Sequence, residues 1–382
     1  MNIPKQGLIY WSVGNGDSTT VLINENLLMQ VDLNDMEKAD DKGDPCHPVI
    51  DHLVAILPKV GNKPYLAAFV LTHPDEDHCN GFKELLKRVN IGELWFTPRT
   101  FLEYHKDLCD DAKAFKVEAM RRIALAKKSG GELQSGDRIR VVGYHEVLEK
   151  TEYSGIPEKC LSEPGHNIVV VDGNDLGGKF HAHIHAPFKD SMEDDRNDTS
   201  LAMQIGVGGD TGVGQALFFG DLAYEHLIRI FNKQYTDYNY LSWNVLLSPH
   251  HCSKSAMYVR EDGKDKLKDD ILQKMNANKK SKNYIIASSY PVPDSNKEGE
   301  DPPHAKARDR YTEITNQFIC TGEYGSEDAP VPIMFEITKD GFTLFGTLTK
   351  ASRGVKTGLG AAATAAREAP RVASQITAFG KR

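Results

Sequence analysis

The chain has 382 residues, 40% of them apolar and 26% charged, which is an ordinary globular composition with room for one large domain or two modest ones. Its net charge of −8 argues against a surface coated in phosphate-binding basic groups, although a local basic groove stays open. No run approaches the roughly 18 apolar residues a membrane span needs, and the start, MNIPKQGLIYWSVGNGDS, lacks the pattern of a signal peptide. A cytoplasmic protein is the expectation. The six cysteines are scattered without a CxxC pair and read as reduced thiols.

In chain order, residues 7–13 and 19–23 predict two strands joined by the GNGD turn, which can also offer backbone N–H groups to an anion. A third apolar run ends at Asp32, and an acidic loop and a helical pattern over 48–60 follow it. The run YLAAFVLT predicts a strand, residues 81–88 a helix, 93–98 a strand, 111–128 a helix closing at Gly130 and Gly131, and 137–144 a strand. This alternation implies α/β layers. After residue 160 the chain reads as β-rich, with strands at 180–187, 200–207, 215–222, 243–251 and 283–290 and a closing hairpin over 332–346. The glycine-rich GVGGDTGVG has no Lys-Ser/Thr ending and no following helix, so it is not a phosphate-binding P-loop.

The stretch LTHPDEDHCNG follows the strand YLAAFV and packs His73, Asp75, Glu76, Asp77 and His78 into six positions. Such a cluster is either a solvated turn or a seat for a cation. Further groups recur downstream, each after a β-rich run: His185 in HIHAP, Asp221 in FFGDL, and His250 with His251 in SPHHCSKS. Ligands at successive strand ends converge along one sheet edge, so the joint pattern points to a metal site. Imidazole with carboxylate suits Zn²⁺, Mn²⁺ or Fe²⁺. Cys79 and Cys252 flank these residues and read as small packing side chains.

From about residue 7 to 348 the pattern resembles the metallo-β-lactamase superfamily, and within it the hydrolase domain of ComEC-type competence proteins. WSVGNGDSTTVLI is similar to that branch's VGQGDS opening, with Asn15 for glutamine, and VDLN keeps Asp32 of the first superfamily motif without its glycines. LTHPDEDHCNG is similar to HPDxDHxxG, in which Asp75 takes the place of a histidine. HAP, NDTSL, FFGDL, SPHHCSK and DPPHAKARDRY resemble the later blocks in order, with Cys252 where a glycine is usual. The accompanying multi-span channel is absent, which leaves a free-standing soluble relative.

This resemblance implies an α/β fold, an αββα sandwich over residues 1–349, with the site at one sheet edge and two divalent metal ions, zinc or manganese. His73, Asp75 and His185 would hold one ion, and Asp77, His78 and one of His250 and His251 the other, with Asp221 bridging. Asp77 would also orient a metal-activated hydroxide, and Asp75 hardens the first site toward manganese. Lys254 and His304 would contact a substrate phosphate or protonate a leaving oxygen; otherwise they are ordinary surface residues. His181 and His183 share a strand face with His185, and either orient it or are edge residues.

Three functions compete: a phosphodiesterase acting on DNA or RNA, a hydrolase of a small ester, lactam or thioester on the same residues, and a binding scaffold without turnover. The implied ligand set and Asp75 favour the first. Beyond residue 349 the composition changes to Ala, Gly, Thr and Arg. Residues 350–382 hold seven basic side chains against Glu368, a net +6 that leaves −14 for the rest. They read as an appendage for a partner protein or nucleic acid, or as an end with no partner.

Overall fold

The computed structural model describes residues 1–36, 46–102, 108–189, 197–209, 213–296, 300–325 and 331–346. The tail from residue 350 lies outside them. Within the described residues the chain is a mixed α/β sandwich of two large sheets.

The first sheet takes β1 (Gly7–Tyr10), β2 (Thr19–Asn24), β3 (Leu27–Val31), β4 (Lys63–Val70), β5 (Asn90–Phe96), β6 (Arg138–Val142) and β7 (Leu161–Ser162). The second takes β8 (Asn167–Ile168), β9 (Phe180–Ala186), β10 (Ala202–Val207), β11 (Gly214–Phe218), β12 (Trp243–Leu247), β13 (Lys279–Ala287) and β14 (Phe318–Cys320), which lie side by side in that order. The chain then returns to the first sheet with the hairpin β15 (Ile333–Thr338) and β16 (Gly341–Leu344), and β15 pairs antiparallel to β1. Strands β3 to β7 are mutually parallel, as are β11 to β14.

Period-two alternation sorts each strand's side chains into two cores. Leu8 and Tyr10 point between the sheets, where they meet Phe180, Ala182, Ile184, Phe218, Val245 and Ile286. Ile9 and Trp11 point the other way, into a core shared with α1 (Val49–Ile56), α3 (Phe82–Arg88) and α4 (Asp110–Ser129). On the second sheet Leu217, Leu246 and Ile285 face outward onto α5 (Tyr224–Phe231), α6 (Asp269–Asn278) and α7 (Ala305–Ile314). A short α2, Glu76–Cys79, precedes α3. Strands buried on both faces explain why 65–70 and 243–247 read as nearly continuous apolar runs.

Two expectations are corrected here. The first strand ends at Tyr10 instead of Val13, because residues 11–18 leave the sheet toward its edge. The half beyond residue 160 also contains α5 to α7. Their apolar residues, such as Leu227, Ile230 and Phe231, fall at helical spacing within short polar segments. No helix among the described residues is long and apolar enough to cross a membrane.

Candidate metal centre

Four strand ends meet at one edge of the sandwich. Asp32 directly follows β3, while His73, Asp221 and His250 each stand three residues beyond β4, β11 and β12. Parallel strands bring their carboxyl ends together, which is where open α/β sheets place their ligands.

Asp221 is the hub and is 4% exposed. Its Oδ2 lies 3.7 Å from His73 Nε2, 3.5 Å from His250 Nε2 and 3.7 Å from His251 Nε2, and its Oδ1 lies 3.3 Å from His78 Nε2. Asp75 Oδ2 approaches His73 Nε2 at 3.8 Å, and Asp77 Oδ2 approaches His251 Nε2 at 3.0 Å. Among the described residues, two groups of donor atoms are compact enough to share an ion: His73, His78 and Asp221, and Asp17, His78 and His251.

The imidazoles are aimed by their other nitrogens. His78 Nδ1 lies 2.8 Å from Asp32 Oδ2, so a proton on Nδ1 leaves the Nε2 lone pair turned to the centre. Thr72 donates to Asp32 Oδ2 at 2.6 Å through its hydroxyl and to Oδ1 at 2.7 Å through its N–H. Having donated its proton, the Thr72 hydroxyl accepts from His73 Nδ1 at 3.2 Å, which frees His73 Nε2 in the same way.

Among the described residues, His73 Nε2, Asp221 Oδ1, Asp17 Oδ1 and His251 Nδ1 are buried without a hydrogen bond. Buried polar atoms lacking partners are uncommon, and an ion is one of the few groups that satisfies several together. The imidazole–carboxylate donor set fits Zn²⁺ or Mn²⁺.

Charge tells the same story. Burial, helped by His78, lowers the His73 pKa to about 3, so this ring is neutral and its lone pair available. Burial opposes charge on His251 too, but Asp221, Asp17 and Asp77 outweigh it and raise that ring to about 10. Burial likewise opposes charge on Asp221, yet the four histidines, led by His251 and His78, hold it well below the carboxylate range. The carboxylates draw protons onto imidazoles only 3.3 Å apart, where a divalent cation would serve both.

The loop carrying His250 and His251 is unusual in its backbone. His250 (φ 49), His251 (φ 50) and Cys252 (φ 67) are consecutive non-glycine residues in the left-handed region. Such residues cost of order 1–3 kcal/mol each and persist where surroundings over-determine them. Here the His250 N–H donates to Gly220 O at 3.1 Å and the His304 N–H to Cys252 O at 3.1 Å. Cys252 therefore adopts a backbone conformation that favours glycine while its side chain packs in the outer core.

Several expected residues stand elsewhere. His185 is not at the centre: its Nε2 lies 3.1 Å from Tyr240 O and its Nδ1 3.2 Å from Tyr235 Oη. Alternation along β9 turns His181, His183 and His185 to the face opposite Phe180, Ala182 and Ile184, into a cluster with Tyr235, Tyr238 and Tyr240. His183 pairs with Asn167 and His181 with Gln204, so neither orients a ligand. Both histidines of the His250–His251 pair approach Asp221 instead of only one.

His304 is 4% exposed, with Nδ1 accepting from the Lys254 N–H at 3.2 Å and Nε2 donating to Glu300 O at 3.1 Å. It positions the histidine loop. Lys254 Nζ is held by Asp265 at 2.7 Å, and that carboxylate also binds Lys306.

Asp17, from the GNGD turn, is the residue sequence reasoning missed. Its N–H donates to Asp77 O at 3.1 Å, and its Oδ1 lies 3.5 Å from His251 Nδ1. Gly16 permits this approach, since a Cβ there would fall 2.8 Å from Asp77 O and 2.2 Å from the Asn34 amide nitrogen. The available signal was an acidic residue directly after a glycine turn in a buried segment. No protein-family model matches the sequence, and no curated protein matches it either.

Proposed function

We propose that this protein is a divalent-metal-dependent phosphodiesterase acting on DNA or RNA, built on a metallo-β-lactamase fold. The observation that carries the reading is the convergence on Asp221 of four imidazole Nε2 atoms within 3.3–3.7 Å. The ordered resemblance of HPDEDH, FFGD and PHHCSK to the ComEC-type branch supports the substrate class. His73, Asp75, His250 and Asp221 would hold one ion, and His78, His251, Asp17, Asp77 and Asp221 the other.

Divalent cations bound there supply the positive charge that acidifies water and offsets charge building on phosphoryl oxygens. The chain's own part is positional. Asp32 and Thr72 fix the ring tautomers before substrate arrives. Asp77, whose side chain is 38% exposed, presents a carboxylate to solvent at the rim and can orient a water. Burial works against its charge, but His78 and His251 hold it ionised.

A second reading, hydrolysis of a small ester, lactam or thioester, is favoured by one observation. Lys254 and His304, assigned above to a phosphate, are engaged by Asp265, Glu300 and the histidine loop.

The deciding experiment loads purified protein with Zn²⁺ or Mn²⁺ and offers labelled single- and double-stranded DNA and RNA beside esters, lactams and thioesters. Phosphodiester cleavage that Asp221→Asn abolishes is expected. Turnover confined to the small substrates would replace the first reading by the second.

A further inference from the structure

Beneath the metal-binding loop lies a pair of sulfurs that the reaction does not use. Cys79 follows His78 at the end of α2, and its Sγ stands 3.5 Å from Cys109 Sγ, residues 30 apart in sequence. Cys79 is buried and Cys109 only half-buried; the other four thiols are buried. Cys109 is the N-cap of the 20-residue α4, where its sulfur accepts the Ala112 N–H at 3.4 Å. Two residues on, Asp111 accepts the N–H groups of Gly81 at 3.0 Å and Lys83 at 2.7 Å. The N-terminus of α4 thus grips the segment behind the ligands at two points. From the other side Cys79 Sγ donates to Asp75 O at 3.2 Å.

We propose that Cys79 and Cys109 are a peroxide-oxidisable dithiol whose closure to a disulfide moves the loop carrying Asp75, Asp77 and His78. Cys109 is the reacting sulfur, because it is the more accessible and its helix cap offers N–H groups to a thiolate.

The Cys109 thiolate attacks one oxygen of hydrogen peroxide, the O–O bond breaks, and the sulfenic acid forms with hydroxide, which is protonated to water. The Cys79 sulfur then attacks the sulfenic sulfur. The S–S bond forms, the S–O bond breaks, and the hydroxyl leaves as water with the Cys79 proton. Two thiols lose two electrons to one peroxide. The sulfurs must close from 3.5 Å to about 2.05 Å, and the S–H bond to Asp75 O disappears. Both changes act on the backbone that presents the ligands. The effect on the metal rests on the reading above, whereas the dithiol does not.

The test treats reduced full-length protein with hydrogen peroxide in a chelator. The expected product has lost two hydrogens, joins the Cys79 and Cys109 peptides, and reverts with reductant. Cys79→Ser should stop at a sulfenic acid on Cys109 that dimedone traps. Cys109→Ser, which keeps an N-cap oxygen, should give neither product. Amide exchange over residues 75–81 should rise on oxidation, and Mn²⁺ or Zn²⁺ affinity should fall at least about tenfold. Pairing with another cysteine, no disulfide, or a disulfide with unchanged exchange would each overturn the proposal. Failure of the reduced protein to bind metal would overturn the metal centre instead, leaving peptide mapping and exchange to judge the dithiol.

Discussion

The Asp32 carboxylate holds His78 Nδ1 at 2.8 Å, and it does so from a left-handed backbone, φ 53. Aspartate and asparagine are the non-glycine residues that visit this region most readily. Asp32→Asn therefore keeps the backbone shape, removes the charge behind His78 and turns one of the two oxygens that accept from Thr72 and His78 into an amide donor. Metal affinity should fall about 10- to 100-fold, while circular dichroism shows the fold retained. Calorimetric titration with Zn²⁺ or Mn²⁺ measures this. Unchanged affinity would show that Asp32 does not orient His78.

Asp17→Asn tests the residue that sequence reasoning passed over. Asp17 groups with His78 and His251, and the proposed assignment places it on the ion not held by His73, Asp75 and His250. The substitution should weaken one ion and spare the other, so metal analysis should fall from two equivalents toward one. Full occupancy of both sites with wild-type affinities would remove Asp17 from the ligand set.

Legibility in the sequence followed how local each signal was. HPDEDH announced itself because five polar ionisable residues follow a buried strand within one turn of chain. The layering was legible because buried parallel strands give continuous apolar runs, as in residues 65–70. His185 misled because alternation shows which residues share a face without showing what that face meets. The partners of Lys254 and His304 come from outside their own segments, Asp265 for one and the Cys252 loop for the other, so no spacing rule finds them. Asp17 was hidden because a GNGD turn is already explained by its turn chemistry.

His185→Ala and His250→Ala should separate cleanly. His185 is fully buried, and its loss leaves Tyr235 Oη and Tyr240 O without their ring partners, a cost of about 1–3 kcal/mol. Its melting temperature should drop while metal content holds. His250, whose side chain is 26% exposed, should show the reverse: weakened metal binding with little loss of stability. If His185→Ala empties a site in a protein that remains folded, the correction made above is wrong.

Lys233 gives a pH dependence away from the centre. Its Nζ donates to His185 O at 2.6 Å, close to Arg229, and burial first and Arg229 second lower its pKa from 10.5 to about 8. The sign follows from proton counting. Between pH 8 and 10.5 the unfolded chain holds the Lys233 proton and the folded one has released it, so stability from this residue rises with pH across that window. Below pH 8 both states are charged, the fold bears the full cost of a buried ammonium, and the contribution is flat. Lys233→Met removes the titration and keeps the alkyl bulk over the Phe188 ring, which the ammonium approaches at 5.4 Å. Urea unfolding of metal-free protein at several pH values compares the two. The stability difference, wild type minus variant, should climb from pH 8 to 10.5 and level off beyond it. A difference that stays constant across the window would mean that Lys233 keeps its ordinary pKa in the fold.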